Sequence, residues 1–360
     1  MAAQIDNYKC LACTGPLRFV SGSGRLECEF CGSSFSVEDV DKQTAAQERN
    51  GAVPGGGTSG DDLVALGWSE EEAAHMVAYS CPSCSAQLLC DDTTATASCP
   101  YCGNQAILLG QLTGVLKPSH IIPFRLDKQA AVEALKKYYT GKKLLPKSFL
   151  EGNHIEEVKG VYVPFWLFDA VSHADIRYNG TIKRSYIERR ERVTITEYYD
   201  VKRQGDIAFE RIPVDASTKM PDAHMDAIEP FDYSALVPFS TAYLPGHLAD
   251  KYDVDAAECA KRAHERIKTS TVDAFAATAK NYSTIRVEAC NIAIEESAPN
   301  YALLPVWLLS TKWNGKSFLF AMNGQTGKLV GDLPVDKVKY WAWFFGIALP
   351  LMAILGIFML

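Results

Sequence analysis

Eight of the eleven cysteines fall into four CxxC pairs: Cys10 and Cys13, Cys28 and Cys31, Cys81 and Cys84, Cys99 and Cys102. Within each set of four, fourteen residues separate the two pairs. A CxxC turn lets two thiolates reach one ion at about 2.3 Å, and a hairpin between the pairs brings the second turn round to complete a tetrahedron. Four thiolates leave no position for a water, so both sets read as structural Zn2+ sites rather than catalytic ones. Gly32 and Gly103 directly follow the last cysteine of each set, as a tight knuckle favours. Cys90 reads as a small buried hydrophobe, and Cys259 and Cys290 as packing residues. A redox reading of the pairs needs a single CxxC in a βαβ setting, which is absent.

Zinc ribbons often touch nucleic acid, and charge argues against it here. The formal net charge is -7 and the pI about 5.6, so the chain lacks the basic field that draws proteins onto phosphate backbones. Between Arg49 and Lys117 there is no Lys or Arg, while Asp61, Asp62, Glu70, Glu71, Glu72, Asp91 and Asp92 accumulate. The first ribbon has only Lys9, Arg18 and Arg25. One basic concentration stands out, Lys183, Arg184, Arg189, Arg190 and Arg192, in a β-rich stretch bent at ERRE. It is interleaved with Glu188, Glu191, Glu197 and Asp200. A solvated hairpin with cross-strand ion pairs accounts for it, and contact with anionic lipid or a partner is the sharper alternative.

Six segments are expected. A ribbon over 1–40 is followed by a Gly-rich polar linker over 41–62 and by a short helix plus second ribbon over 63–116, with Ser69 and Glu72 forming a capping box. Two α+β units over 117–233 and 234–336 follow, because SHIIPF matches SALVPF and YVPFWLF matches LLPVWLL, aligning Pro164 with Pro305 and Trp166 with Trp307. Each pair of matches brackets a helix, capped by Asp127 and closed by Gly141 in the first unit and capped by Asp255 with Glu258 in the second. Asn314-Gly315 reads as a hairpin turn, with the next at Asn323-Gly324 or Thr326-Gly327. Residues 337–360 close the chain with an uncharged run from Tyr340 to Leu360, flanked by Lys337 and Lys339 and opening on Trp341 and Trp343. That pattern predicts a transmembrane tail anchor with interfacial tryptophans. No basic segment followed by an apolar run opens the chain, so the N-terminus and globular domains are expected in the cytosol, at a bacterial inner membrane crossed once. The fold class expected is α+β, with two ribbons, a duplicated strand-helix-hairpin domain and one transmembrane helix.

No catalytic pattern is complete. Gly-Lys-Ser at 315–317 lacks the phosphate-loop glycine, with Ser310 in its place. His264-Glu265 has Lys268 where a metalloprotease helix needs histidine, and Ser59 has Asp61 where a nucleophile elbow needs glycine. Neither an enzyme nor a small-molecule substrate is expected.

The runs GVYVPFWLFDA, IEPFDYSALVPFSTAYLPGHLADKYDVDA and FAMNGQTGKLVGDLP resemble the bacterial TFIIB-type double zinc-ribbon family, of the YdjG type, over nearly the whole chain. Some members carry a primosomal-helicase label, with which the missing phosphate loop disagrees. The resemblance implies a membrane-bound adaptor in a phage-shock-like envelope stress response. Its implied partners are a phage-shock-protein-A-like coat protein and a flotillin-like or virion-core-like protein. It carries over the eight zinc ligands and no catalytic residue. The alternative function is a membrane-tethered nucleic-acid-binding ribbon protein acting in transcription or replication.

Overall fold

The computed structural model describes residues 10–13, 15, 17–40, 42, 67–69, 76–91, 98–104, 108–110, 116–146, 149, 158–313 and 316–359. The linker 41–62, the proposed capping box at Glu72 and the turn Asn314-Gly315 lie almost wholly outside them.

The fold is mostly β, which corrects the α+β expectation. The first ribbon is a three-stranded sheet of β1 (Leu17–Val20), β2 (Arg25–Cys28) and β3 (Ser34–Phe35). A second, twelve-stranded sheet contains every other described strand. It takes in β4 (Met76–Ser80), β5 (Gln87–Asp91) and β6 (Leu108–Gly110) of the second ribbon. Then follow β7 (His120–Ile121), helix α1 (Lys128–Tyr139), β8 (Val158–Glu188) and β9 (Glu191–Asp215). Next come α2 (Asp222–Ile228), β10 (Val237–Pro238), β11 (Leu248–Asp250) and α3 (Ala256–Ala277). The chain closes with β12 (Thr284–Glu296), β13 (Asn300–Trp313), β14 (Lys316–Asn323), β15 (Leu329–Gly331) and α4 (Lys337–Met359). The sheet outgrows the expectation because β8 runs for 31 residues without a break. Asp169–Gly180, between the two segments recognised as strands, continues the alternation with every second residue from Ser172 to Gly180 buried. The short helix expected ahead of Cys81 does not extend to Met76–Ser80, which form β4 instead. Val77 and Tyr79 favour the pleated surface, and Ala78 and Tyr79 pair with both β5 and β6.

Contacts divide the chain into two compact units. The first comprises Met1–Pro164, Ser217–Lys251 and Leu303–Leu360, and the second Phe165–Ala216 and Tyr252–Ala302. In the first unit β10 pairs antiparallel with β7, so the two matching Pro-Phe segments lie side by side, Val237 opposite Ile121. In the second, β8 is flanked by antiparallel β9 and β12. One face of this three-stranded sheet carries Ala174, Ile176, Tyr178 and Val201, covered by Val272, Phe275 and Ala276 of α3. Tyr178 Oη donates to Val272 O at 2.9 Å and fixes the helix over the face.

The paired tryptophans perform the same task in each unit. Trp307 Nε1 donates to Leu126 O at 3.0 Å, and Leu126 precedes Asp127, the N-cap of α1. Trp166 Nε1 donates to Val254 O at 3.1 Å, and Val254 precedes Asp255, the N-cap of α3. Both caps accept as the sequence predicts, Asp127 from Ala130 N and Asp255 from Glu258 N, each at 2.8 Å. Gly141, at φ +81, follows the C-cap Thr140 of α1.

The C-terminal segment is helical, but among the described residues no helix is long and apolar enough to cross a membrane. Its base is fastened to the first unit: Lys339 Nζ donates to Leu145 O at 2.7 Å and Asp336 N to Leu144 O at 2.9 Å. The Lys143 ammonium sits 4.6 Å from the Trp343 ring centroid. The expected transmembrane tail, and the single-pass inner-membrane location that rested on it, are corrected accordingly. Trp341 and Trp343 are exposed aromatics of α4.

His247 gives the first unit a pH dependence. Its ring is buried and stacked on Phe124 at 4.2 Å, and burial, with the Arg18 charge adding to it, lowers its pKa from 6.5 to about 4. An unfolded chain releases the ring to its ordinary value and binds the extra proton, so stability falls as pH drops from about 6.5 towards 4, by up to about 3 kcal/mol. Any metal held by the cysteine clusters would be lost at low pH and add its own slope, so the measurement is a comparison. Urea midpoints of the zinc-loaded chain should fall more steeply below pH 6.5 than those of His247→Gln.

Candidate metal centres

Four knuckles share one backbone pattern. Cys10 N, Cys28 N, Cys81 N and Cys99 N donate to Gly15 O, Ser33 O, Ala86 O and Asn104 O respectively, each acceptor five residues on. In the last three the residue four places after the cysteine returns its N–H to the cysteine carbonyl: Gly32, Ser85 and Gly103. That closure requires a left-handed backbone, and φ is +70, +57 and +68 at these residues. Glycine adopts it freely, which explains Gly32 and Gly103, while Ser85 adopts it with a side chain in place.

The knuckles bring the predicted ligands together in two groups, Cys10, Cys13, Cys28 and Cys31, and Cys81, Cys84, Cys99 and Cys102. All sulfurs in each group lie within 4.8 Å of one another. Cys10–Cys31 and Cys13–Cys28 are 3.4 and 3.5 Å apart, Cys81–Cys102 and Cys84–Cys99 3.6 and 3.7 Å. The edge of a tetrahedron with zinc–sulfur bonds of about 2.3 Å is about 3.8 Å, so the donor sets fit a metal ion of that size. Ala12 N points at Cys10 Sγ from 3.4 Å, an N–H that would stabilise a thiolate.

The thiols share charge unevenly without a cation. Hydrogen bonds from the Ser33 hydroxyl and N–H pull Cys31 down to about 6. At Cys13 the Gly15 N–H pulls the pKa down, but bonding to the Cys31 and Cys28 thiols carries it up to about 12. In the second group burial opposes ionisation of Cys81, yet the Cys84 and Ser83 N–H groups outweigh it and bring it to about 7. Burial pushes Cys99 up to about 11 and raises Cys84 further. Only a bound cation would let all four sulfurs of a group be thiolates together.

The two centres are mounted differently. The second is part of the large sheet, because β5 pairs with β11, Leu89 opposite Ala249 and Leu88 opposite Asp250. Its knuckle residue Tyr101 donates to Asp250 Oδ2 at 2.7 Å, and Ser217 Oγ donates to the same oxygen at 2.7 Å. Asp250 is buried, and burial of the Tyr101 hydroxyl, with the Asp250 charge beside it, raises the Tyr101 pKa well above normal. Lys159 Nζ holds the carbonyl and hydroxyl of Ser98, beside Cys99. The first ribbon instead packs its own core of Leu17, Phe19, Leu26, Val37 and Val40 against Ala242, and Phe19 meets Tyr243 edge-on at 5.3 Å. Its Cys13 and Cys31 are exposed.

Phe30 holds the knuckle position equivalent to Tyr101, two residues after Cys28 as Tyr101 is after Cys99. Tyr101 is buried, whereas Phe30 is 77% exposed and Leu11, in the facing knuckle, is 37% exposed. Aligning the two CxxC sets would have found this pair; which ring lies buried could not be read from it.

Of the remaining sequence candidates, Arg189 and Arg190 form the two-residue turn between β8 and β9, both with positive φ. Lys183 and Arg184 lie opposite Thr196 and Ile195, and Arg192 opposite Ile187. Cross-strand ion pairs are present, Arg184–Glu197 at 4.0 Å, Lys202–Asp175 at 3.1 Å and Arg177–Asp200 at 3.7 Å, all exposed. Cys90 is buried on β5 and Cys259 on α3, where burial lifts its thiol to about 12. Cys290, expected to pack, is exposed on β12.

The chain is 36% identical over 345 residues to the Bacillus subtilis protein named "Uncharacterized protein YdjG", covering 96% of this chain and 94% of that protein. This chain belongs to the YdjG family. No family model matches it, and no solved structure matches it.

Metal analysis of the full chain should give two Zn2+. Cys13→Ser and Cys99→Ser should each reduce the content to one. Cys99→Ser should lower the melting temperature more, because it also frees Tyr101 from Asp250. Asp250→Ala should keep both metals and cost about 2–3 kcal/mol in urea unfolding, by stranding two buried hydroxyls.

Proposed function

We propose that this chain is a non-enzymatic adaptor whose two ribbons, of the TFIIB type, hold structural Zn2+, and that the first ribbon is its protein-docking element. The observation that carries the reading is the contrast between Phe30 and Tyr101. In the second ribbon the knuckle aromatic is plugged into the protein's own sheet, with Asp250 as its partner. In the first, the equivalent ring stands in solvent on a backbone fixed by hydrogen bonds and metal ligands, with Leu11 on the facing knuckle. A rigid exposed aromatic loses little conformational freedom on binding, which is the character of an interface anchor.

The electrostatics of the ribbon favour protein over nucleic acid. Arg18 pairs with Glu29 at 3.4 Å, and Arg25 donates to Ser34 Oγ at 2.9 Å, so its described arginines are engaged within the ribbon. The partners proposed, from the family resemblance, are a phage-shock-protein-A-like coat protein and a flotillin-like or virion-core-like protein, in an envelope stress response.

Crosslinked recovery of the full-length tagged chain from bacterial cells tests this. Wild type should recover the coat protein. Phe30→Ala should recover roughly tenfold less at unchanged zinc content and melting temperature. Undiminished recovery by that variant would sink the docking assignment, and salt-sensitive binding of nucleic acid by the full chain would favour the nucleic-acid reading instead.

A further inference from the structure

The two four-cysteine groups share one spacing and differ in accessibility. In the first, Cys13 and Cys31 are exposed while Cys10 and Cys28 are buried. Each exposed sulfur has a buried one beside it: Cys31 Sγ lies 3.4 Å from Cys10 Sγ, and Cys13 Sγ 3.5 Å from Cys28 Sγ. In the second group Cys81 and Cys99 are buried, and Cys84 and Cys102 are partly buried. Oxidation of a thiol to a disulfide needs one sulfur that a dissolved oxidant can reach and another close enough to trap the product. The first group has that combination twice. Cys290, the other exposed cysteine, belongs to neither group.

Closing a disulfide also needs movement. Bonded sulfurs stand about 2.05 Å apart, so each of these neighbouring pairs has to close by more than an ångström, and each pair joins two different knuckles. In the second group the knuckle Cys99–Cys102 is held from outside, by Tyr101 on the buried Asp250 and by Lys159 on Ser98, while β5 pairs with β11. In the first, Phe30 replaces that tyrosine and stands in solvent, so the knuckle Cys28–Cys31 lacks the fastening and is freer to approach its neighbour. We propose that the first group is a site of oxidative modification, in which hydroperoxides form the disulfides Cys10–Cys31 and Cys13–Cys28 under conditions that leave the second group reduced. The exposed thiol attacks one peroxide oxygen, the O–O bond breaks, and the other oxygen leaves as water. The buried neighbour then attacks the resulting sulfenic acid, an S–S bond replaces the S–O bond, and a second water leaves. Two thiols lose two electrons and one peroxide gains them. A disulfide takes two ligands from the group, so the zinc proposed there would be lost with it. Leu11 and Phe30 lie between the cysteines of their knuckles, so the surface assigned above to docking changes too, although the modification does not rest on that assignment.

Full-length chain, purified reduced and with its zinc content measured, should be treated with hydrogen peroxide, alkylated at intervals with N-ethylmaleimide, digested and mapped by mass spectrometry. Disulfides among Cys10, Cys13, Cys28 and Cys31 should form about tenfold faster, or more, than any among Cys81, Cys84, Cys99 and Cys102. Zinc release, followed with a chromogenic chelator, should keep step with those disulfides and stop at half of the zinc bound at the start. The inference is overturned by any of three results: equal rates in the two groups, faster oxidation of the second, or oxidation confined to Cys290 with the first group still reduced. Mapping reads the cysteines directly, so it decides the inference whatever the zinc content, which tests the metal reading separately.

Discussion

Asp250 accepts two hydroxyl hydrogen bonds on one buried oxygen while its backbone pairs with Leu88. A carboxylate so enclosed is tolerated only when donors face it. Tyr101 and Ser217 are those donors, so the second metal knuckle and the turn after β9 are both anchored on one side chain. The same short strand, β11, also runs parallel to β8, Leu248 opposite Val161. A four-cysteine cluster that in isolation would be a marginal knob is thereby stabilised by a sheet, and the sheet in turn depends on the cysteine knuckle keeping Tyr101 in place.

The two indole N–H groups apply one device twice. Each reaches the carbonyl just before a helix N-cap, so each helix is positioned by a tryptophan from a strand distant in sequence. Both indole rings are buried, with only the N–H needing a partner, as expected for a large apolar side chain with one polar atom. The device ties helix entry to strand register: a slip of one residue would turn Trp166 or Trp307 to the opposite face and release the helix start.

Local chemistry was legible in the sequence. The spacing of the cysteines located every predicted ligand, and the Asp caps, the Gly141 stop and the ERRE turn follow from short-range rules. What depended on partners far along the chain was not. That β8 continues through Asp169–Gly180 is set by pairing with β9 and β12, because the segment mixes charged, small and polar residues and has weak β preference alone. The exposure of Phe30 and the burial of Tyr101 look identical in sequence, since the socket for Tyr101 is made 149 residues away. The C-terminal run shows composition at its plainest, yet its base is bound to the loop after α1, and among the described residues no helix is long and apolar enough to cross a membrane.

Among the described strands β9 pairs only with β8, which leaves a 25-residue strand with one open edge. Such an edge is a template on which another chain can extend the sheet. Here it is interrupted by a bulge, where Glu210 and Arg211 face Asp169 alone, Arg211 has φ +55, and its N–H is taken by Asp169 Oδ1 at 2.7 Å. Charged residues recur along the rest, from Arg192 through Asp200, Lys202 and Asp206. A second copy in register would set like charges against each other and meet a kinked ladder, so this strand's resistance to aggregation is built into its own length.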